Sequence, residues 1–222
     1  MIRRTIPWLC FVTSLSAWSP AFHEVQSKIA ARMVPGPMAR FLSDNRAIML
    51  DAARGVANDE PPTVEQVEEQ YQRIVAMSEA GARPRQLARE LGVLAHMVQV
   101  LSDPGATYGV SPLRETFTAY ADENLGRMIL TRAPAWALGS DLDPRPRLLR
   151  IADEKFDRHR RLLDHFDQST SKRTGDWDEL SIPFAQLQLA FSGGIQATAN
   201  LWILLWRAVG DRWPVDAAGG RP

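Results

Sequence analysis

The chain contains four histidines, and one of them lies where an imidazole has to find a partner. His96 falls in the middle of residues 87–103, whose apolar side chains cover nearly the whole circumference of a helix. A helix of this kind is typical of a buried, central position. A buried ring nitrogen costs free energy unless it is hydrogen-bonded or bound to a metal ion. Both solutions are open for His96.

The first 17 residues predict a cleaved leader. Two arginines precede an apolar stretch at 6–15, and small residues follow it up to Ala17. This pattern is typical of a secretory signal peptide and predicts an exported protein, periplasmic or secreted. The only cysteine, Cys10, lies in the leader. Two alternatives are a buried N-terminal helix, which Pro7 disfavours, and an uncleaved membrane anchor.

The residues after this cleavage site carry a family resemblance. The mature chain would begin Trp-Ser-Pro-Ala-Phe-His, from Trp18 to His23. This start resembles the mature N-terminus of the zinc-dependent phospholipase C and single-strand nuclease superfamily. The resemblance implies that the α-amine and carbonyl oxygen of Trp18 chelate a zinc ion and that His23 adds an imidazole. Neutral imidazole is a natural zinc ligand.

Residues 91–104 extend the resemblance, because the family has a buried helix with a histidine here. His96 takes that position. Asp59 resembles a metal-bridging aspartate of the family. Two further ligand positions are apolar in this chain, since Val100 stands where the family has an aspartate and Ala106 where it has a histidine.

The resemblance therefore implies a reduced set of metal ligands, which are Trp18, His23, Asp59 and His96. A zinc site seldom has fewer than three protein ligands, so we expect fewer than three ions per chain. Asp103 lies seven residues after His96 and is a candidate substitute carboxylate. His159 and His165 lack a carboxylate four residues later, which the family pattern requires, and their highly charged helix predicts a solvated face for both.

Composition and periodicity predict an all-α protein. The helical segments are separated by proline and glycine, without a convincing alternating strand pattern. They predict one multi-helix bundle of about seven helices over 18–213, phospholipase C/nuclease-like by the resemblance, and a flexible tail at 214–222. One helix is predicted from Met38 towards Val56, others begin at the capping residues or prolines Thr63, Pro84 and Ser181, and 168–175 is predicted as a polar linker. The formal net charge is zero, which disfavours a nucleic-acid partner.

The last long apolar segment, 185–209, has two interpretations. Its length suggests a membrane span, but the polar residues that recur through it favour a helix of the protein core. We therefore expect no stable membrane span. Ser192, Gly193 and Gly194 lie inside it and predict tight packing or a kink rather than a phosphate-binding loop.

Three functional hypotheses follow. The first is an exported zinc-dependent phospholipase C/nuclease-like protein acting on a phosphate ester or phospholipid, with phosphodiester hydrolysis reduced or lost. If active, it is a zinc-dependent phosphoric ester hydrolase. The second is a non-catalytic helical binding or structural protein that keeps only the fold. The third is a membrane-anchored helical protein with an uncleaved N-terminal segment.

We predict that the mature chain begins at Trp18. The chelating amine is created only by cleavage after Ala17, so processing and metal binding are linked. N-terminal sequencing of the exported protein checks this. An intact Met1 would remove the argument for the amine ligand.

Overall fold

The computed structural model describes residues 18–54, 60–106, 112–131 and 142–210. Within these ranges the chain forms eight helices, α1 Pro20–Ala30, α2 Gly36–Asp44, α3 Arg46–Arg54, α4 Val64–Glu79, α5 Pro84–Ser102, α6 Pro112–Asn124, α7 Arg145–Leu163 and α8 Ile182–Val209. A 3-10 turn spans Leu125–Arg127, and the short strands β1 Phe166–Asp167 and β2 Lys172–Arg173 pair antiparallel. The predicted all-α single domain is confirmed. The predicted leader and the tail at 214–222 lie outside the described residues.

Several helices begin where capping residues and prolines predicted a start. Thr63 and Gln66 form a reciprocal capping box at α4, and Pro84 is the first residue of α5. The Ser181 hydroxyl accepts a hydrogen bond from the amide of Phe184 (3.3 Å) at α8. Such oxygens satisfy amide groups that the first turn of a helix leaves unpaired.

The segment after Pro37, predicted as one helix, is two helices. Asn45 ends α2, where its main-chain and side-chain N–H groups both donate to the carbonyl of Phe41. The Asn45 carbonyl then accepts the amide of Met49 and so starts α3. Asparagine competes well for local backbone groups, which favours a break at this position. The break accounts for eight helices instead of about seven.

Helix α5 is the centre of the packing, as its apolar circumference predicted. It contacts α3, α4, α7, α8 and α1. Its buried side chains include Leu87, Leu91 and Val98, and the fully buried Trp202 of α8 donates its indole N–H to the carbonyl of Leu91 (3.3 Å). Within the described ranges, no helix has the length and hydropathy needed to cross a membrane.

Helices α3 and α5 approach each other closely at Gly92. A Cβ atom added there would lie 2.2 Å from the carbonyl oxygen of Met49 and 2.8 Å from the Cβ of Ala52. Only a residue without a side chain allows α3 and α5 to approach this closely. One turn after Gly92, His96 contacts the same stretch of α3 backbone at Ala53.

A small hairpin replaces part of a segment predicted as a polar linker. The strands β1 and β2 enclose a turn in which the carboxylate of Asp167 accepts hydrogen bonds from Ser169 and Thr170. Arg173 of β2 lies over the rings of Tyr120 and Trp177, at 5.0 and 5.2 Å from their centroids. These contacts join the hairpin to α6.

We expect Gly92→Ala to destabilise the fold by roughly 2–3 kcal/mol, because the new methyl group must push apart the backbones of two buried helices. Chemical denaturation measures the difference. Gly126→Ala is the matched control, since a Cβ at Gly126 meets no atom within 4 Å. Equal stability of the two variants would contradict this account of the α3–α5 contact.

Candidate metal-binding site

Two buried imidazoles from different helices face each other at the centre of the domain. His23 of α1 has 0% and His96 of α5 has 4% of its surface exposed. Their ring centroids lie 4.2 Å apart, with 39° between the ring planes. The structure therefore brings together two predicted ligands that are far apart in the sequence.

Hydrogen bonds define the protonated nitrogen of each ring. His96 Nδ1 lies 2.8 Å from the carbonyl oxygen of Ala53, which only accepts, so Nδ1 carries the hydrogen. His23 Nδ1 lies 2.7 Å from Gln99 Oε1, while the amide nitrogen of Gln99 donates to the Ser27 hydroxyl (3.0 Å). In this arrangement Gln99 Oε1 accepts from His23 Nδ1. A neutral ring whose Nδ1 hydrogen is bonded to an oxygen carries its lone pair on Nε2, as zinc-bound histidines with a second-shell acceptor do.

The second ring nitrogen of His23, Nε2, is buried. Among the described residues, no group makes a hydrogen bond with His23 Nε2. Burial, and after it the neighbouring His96, lower the pKa of His23 to about 3, although its hydrogen bond with Gln99 opposes the shift. The ring is thus neutral at physiological pH, in the state that binds a metal ion.

Trp18 lies beside this pair. Its indole is fully buried, stacks on Phe22 with a centroid distance of 4.2 Å, and donates its N–H to the main-chain oxygen of Gln99 (3.2 Å). Gln99 therefore contacts Trp18 through its backbone and His23 through its side chain. Asp59, the fourth predicted ligand, lies outside the described residues.

The two ligand positions that are apolar in this chain are buried. Val100 is 6% and Ala106 is 0% exposed, and they contact each other apart from the main hydrophobic core. Over residues 18–54, 60–106, 112–131 and 142–210, no three His, Cys, Asp or Glu side chains form a group able to hold a metal ion. The Trp18 amine is not a side-chain donor of this kind, and Asp59 lies outside these ranges.

Asp103 does not form a cluster with His23 and His96 among the described residues. It follows the last residue of α5, and seven residues along a helix correspond to about 10 Å. Its Oδ1 accepts the amide of Gly105 (2.7 Å), and its Oδ2 has no hydrogen-bond partner among the described residues. Burial raises the pKa of Asp103 to about 7, against the opposing charges of Lys155 and Arg114. The structure does not favour Asp103 as a substitute ligand.

One histidine makes a contact that its charged segment did not predict, and two polar residues were not predicted. His159 is part-buried, like His165, and its Nδ1 lies 2.8 Å from the carbonyl of Pro104. Gln99 is a polar residue three positions after His96 on an apolar helix. That position in the sequence could have identified it as a residue of the site. Lys155, buried near Asp103, lies in a highly charged segment whose pattern contains no such signal.

No family model, curated protein or solved structure matches the chain. The fold and the site define an all-α single domain with a buried pair of imidazoles. Kinship with the phospholipase C and nuclease superfamily remains a prediction from the sequence.

We expect the His23 ring of the metal-free protein to stay neutral from pH 8 down to pH 5, because its pKa is lowered to about 3. The unfolded ring has a pKa near 6.5, so the unfolded state takes up the proton first. His23 therefore reduces stability progressively as the pH falls from 6.5 towards 3.

NMR titration of the histidine ring protons tests this, with His23 assigned by the signal that His23→Gln removes. A midpoint near 6.5 for that signal would contradict the buried, uncharged ring.

Proposed function

We propose that the protein is an exported zinc-binding protein, phospholipase C/nuclease-like, in which phosphodiester hydrolysis is reduced or lost. The observation that carries the proposal is the imidazole pair. Each ring has its Nδ1 bonded to an oxygen, and His23 Nε2 has no hydrogen-bond partner among the described residues. An unpartnered buried nitrogen is costly, and a metal ion would satisfy it.

The donor chemistry fits zinc. Two neutral imidazoles, the amine and carbonyl of a processed Trp18, and the carboxylate of Asp59 are all ligand types that zinc accepts. Together they suffice for one ion. A zinc ion with an open position would bind a phosphate oxygen and lower the pKa of a bound water.

The protein's own residues would orient these donors. The carbonyl of Ala53 holds the His96 ring, and the side chain of Gln99 holds the His23 ring. Phe22 and Phe117 pack on the Trp18 indole, with centroids 4.2 and 5.8 Å away, and exclude water from this side. Such supporting contacts typically change metal affinity 10–100-fold when they are removed.

The apolar residues at two implied ligand positions support the loss of activity. A multi-zinc phosphodiesterase site needs carboxylate and imidazole donors, and Val100 and Ala106 provide neither. The same observation favours a second candidate, a non-catalytic helical binding or structural protein that keeps only the fold. The third hypothesis, an uncleaved membrane anchor, is tested by N-terminal sequencing of the protein.

We expect the chain that begins at Trp18 to bind at least one and fewer than three zinc ions. Elemental analysis and a competitive titration with a zinc indicator measure the number and the affinity. His23→Gln and His96→Gln should each weaken binding at least about tenfold, whereas His165→Gln, a matched control, should not. A glycine added before Trp18 should also weaken binding, because it displaces the α-amine.

The number of bound zinc ions distinguishes the candidate functions. Three tightly bound ions would show that the ligand set is larger than proposed, and no bound zinc would favour the non-catalytic helical protein. A phosphodiester such as bis(4-nitrophenyl) phosphate then tests the zinc-loaded chain. Turnover that is lost in His96→Gln but kept in His165→Gln would assign residual hydrolysis to this site.

A further inference from the structure

A cavity of about 220 Å³ lies between α7 and α8. We call it the α7–α8 cavity. Arg158 and Glu154 of α7, Ser192, Gly193 and Gln196 of α8, and Ser102 line it together with apolar side chains. Its volume equals that of about seven liquid water molecules, which suits a ligand of a few heavy atoms.

Gly193 opens this cavity towards a guanidinium group. The nearest atoms to a Cβ built at Gly193 would be Arg158 Nη2 and Nη1, at 3.8 and 3.9 Å. A larger residue at this position would fill the space in front of the guanidinium. The next residue, Gly194, differs completely, since its Cβ would lie 2.7 Å from Gln26 Nε2 and 2.8 Å from Ser102 Oγ. The tight packing predicted from the sequence therefore applies to Gly194.

Arg158 keeps most of its donors available. Its side chain is only 13% exposed, and its Nη2 donates to Glu154 (2.6 Å). No other hydrogen bond of this guanidinium occurs among the described residues. Arginine has five N–H donors in a planar fork, a geometry that matches carboxylate and phosphate oxygens. A partly buried guanidinium that faces a cavity is a strong anchor for an oxyanion.

The opposite wall is polar, and its groups are held in place. The Ser192 hydroxyl accepts the amide of Thr131 (3.0 Å), and Gln196 Nε2 donates to the carbonyl of Thr131 (2.8 Å). No hydrogen bond to the Gln196 side-chain oxygen occurs in the part of the chain that the structure describes, so this oxygen suits a ligand hydroxyl. Ile151 and Leu189 add apolar surface.

We infer that the α7–α8 cavity binds a compact, hydroxylated oxyanion, a phosphate or a carboxylate on a body of a few carbon atoms. Arg158 holds the oxyanion, Gln196 accepts from a hydroxyl, and Gly193 provides the space. The inference does not depend on the proposed zinc function, because none of the described residues implied as zinc ligands, Trp18, His23 and His96, lines this cavity.

Calorimetric titration of the chelator-treated mature chain with glycerol 3-phosphate, inorganic phosphate and lactate tests the inference. We expect saturable binding of glycerol 3-phosphate or lactate. The ligand with the higher affinity shows whether the cavity prefers a phosphate or a carboxylate. Arg158→Gln and Gly193→Leu should each reduce the affinity at least about tenfold, which corresponds to about 1.4 kcal/mol. Gly126→Leu, at a position with open space, should bind like the unchanged chain.

The melting temperature of each variant shows whether a loss of binding comes from the changed cavity or from unfolding. Gly193→Leu replaces glycine inside a helix without a backbone clash, so its melting temperature should be equal or higher. Arg158→Gln tests the anchor by a change that fills no space. The absence of saturable binding for all three probes at tens of millimolar would overturn the inference. So would unchanged affinity in both folded variants.

Discussion

The close contact of α3 with α5 at Gly92 is the constraint on which the rest of the structure depends. Because Gly92 has no side chain, the Met49 carbonyl can approach the α5 backbone, and Ala53 then lies within 2.8 Å of His96 Nδ1. That bond turns the His96 ring towards α1, where it meets His23. The contact between the two helices therefore positions the imidazole pair as well as the hydrophobic core. A wider separation would leave the Nδ1 hydrogen of His96 unpaired in a dry interior.

The second constraint is that the buried His23 ring carries no charge. Two protonated rings 4.2 Å apart in a dry interior would repel each other strongly, and burial lowers the pKa of His23 to about 3. An ionised aspartate at position 100 would need a nearby cation to be tolerated there. Valine at this position removes that need.

Local signals predicted much of this fold, and distant contacts account for what they missed. Prolines and capping hydroxyls marked the starts of α4, α5 and α8, because helix ends depend on neighbouring residues. The break at Asn45 was missed because its hydrogen bonds compete with a continuous apolar pattern. The periodicity of α5 predicted that His96 is buried. Only the family resemblance predicted that His23 of α1 lies beside it. Gln99 bonds to a residue 76 positions away, a pairing that no local pattern contains.

The adjacent residues Gly193 and Gly194 have different roles, since Gly194 allows close packing and Gly193 borders the α7–α8 cavity. Successive residues of a helix point about 100° apart, so Gly193 and Gly194 face different neighbours on α8. Gly194 is pressed against buried side chains of α1 and α5, which bond to main-chain oxygens and have little freedom to move. Gly193 faces α7, where the space it leaves is bounded by a guanidinium and not by a hydrocarbon. If close packing alone determined both positions, a larger residue at 193 would fill this space and improve the core. A glycine that leaves a cationic group open to a cavity is better explained by a ligand that enters there.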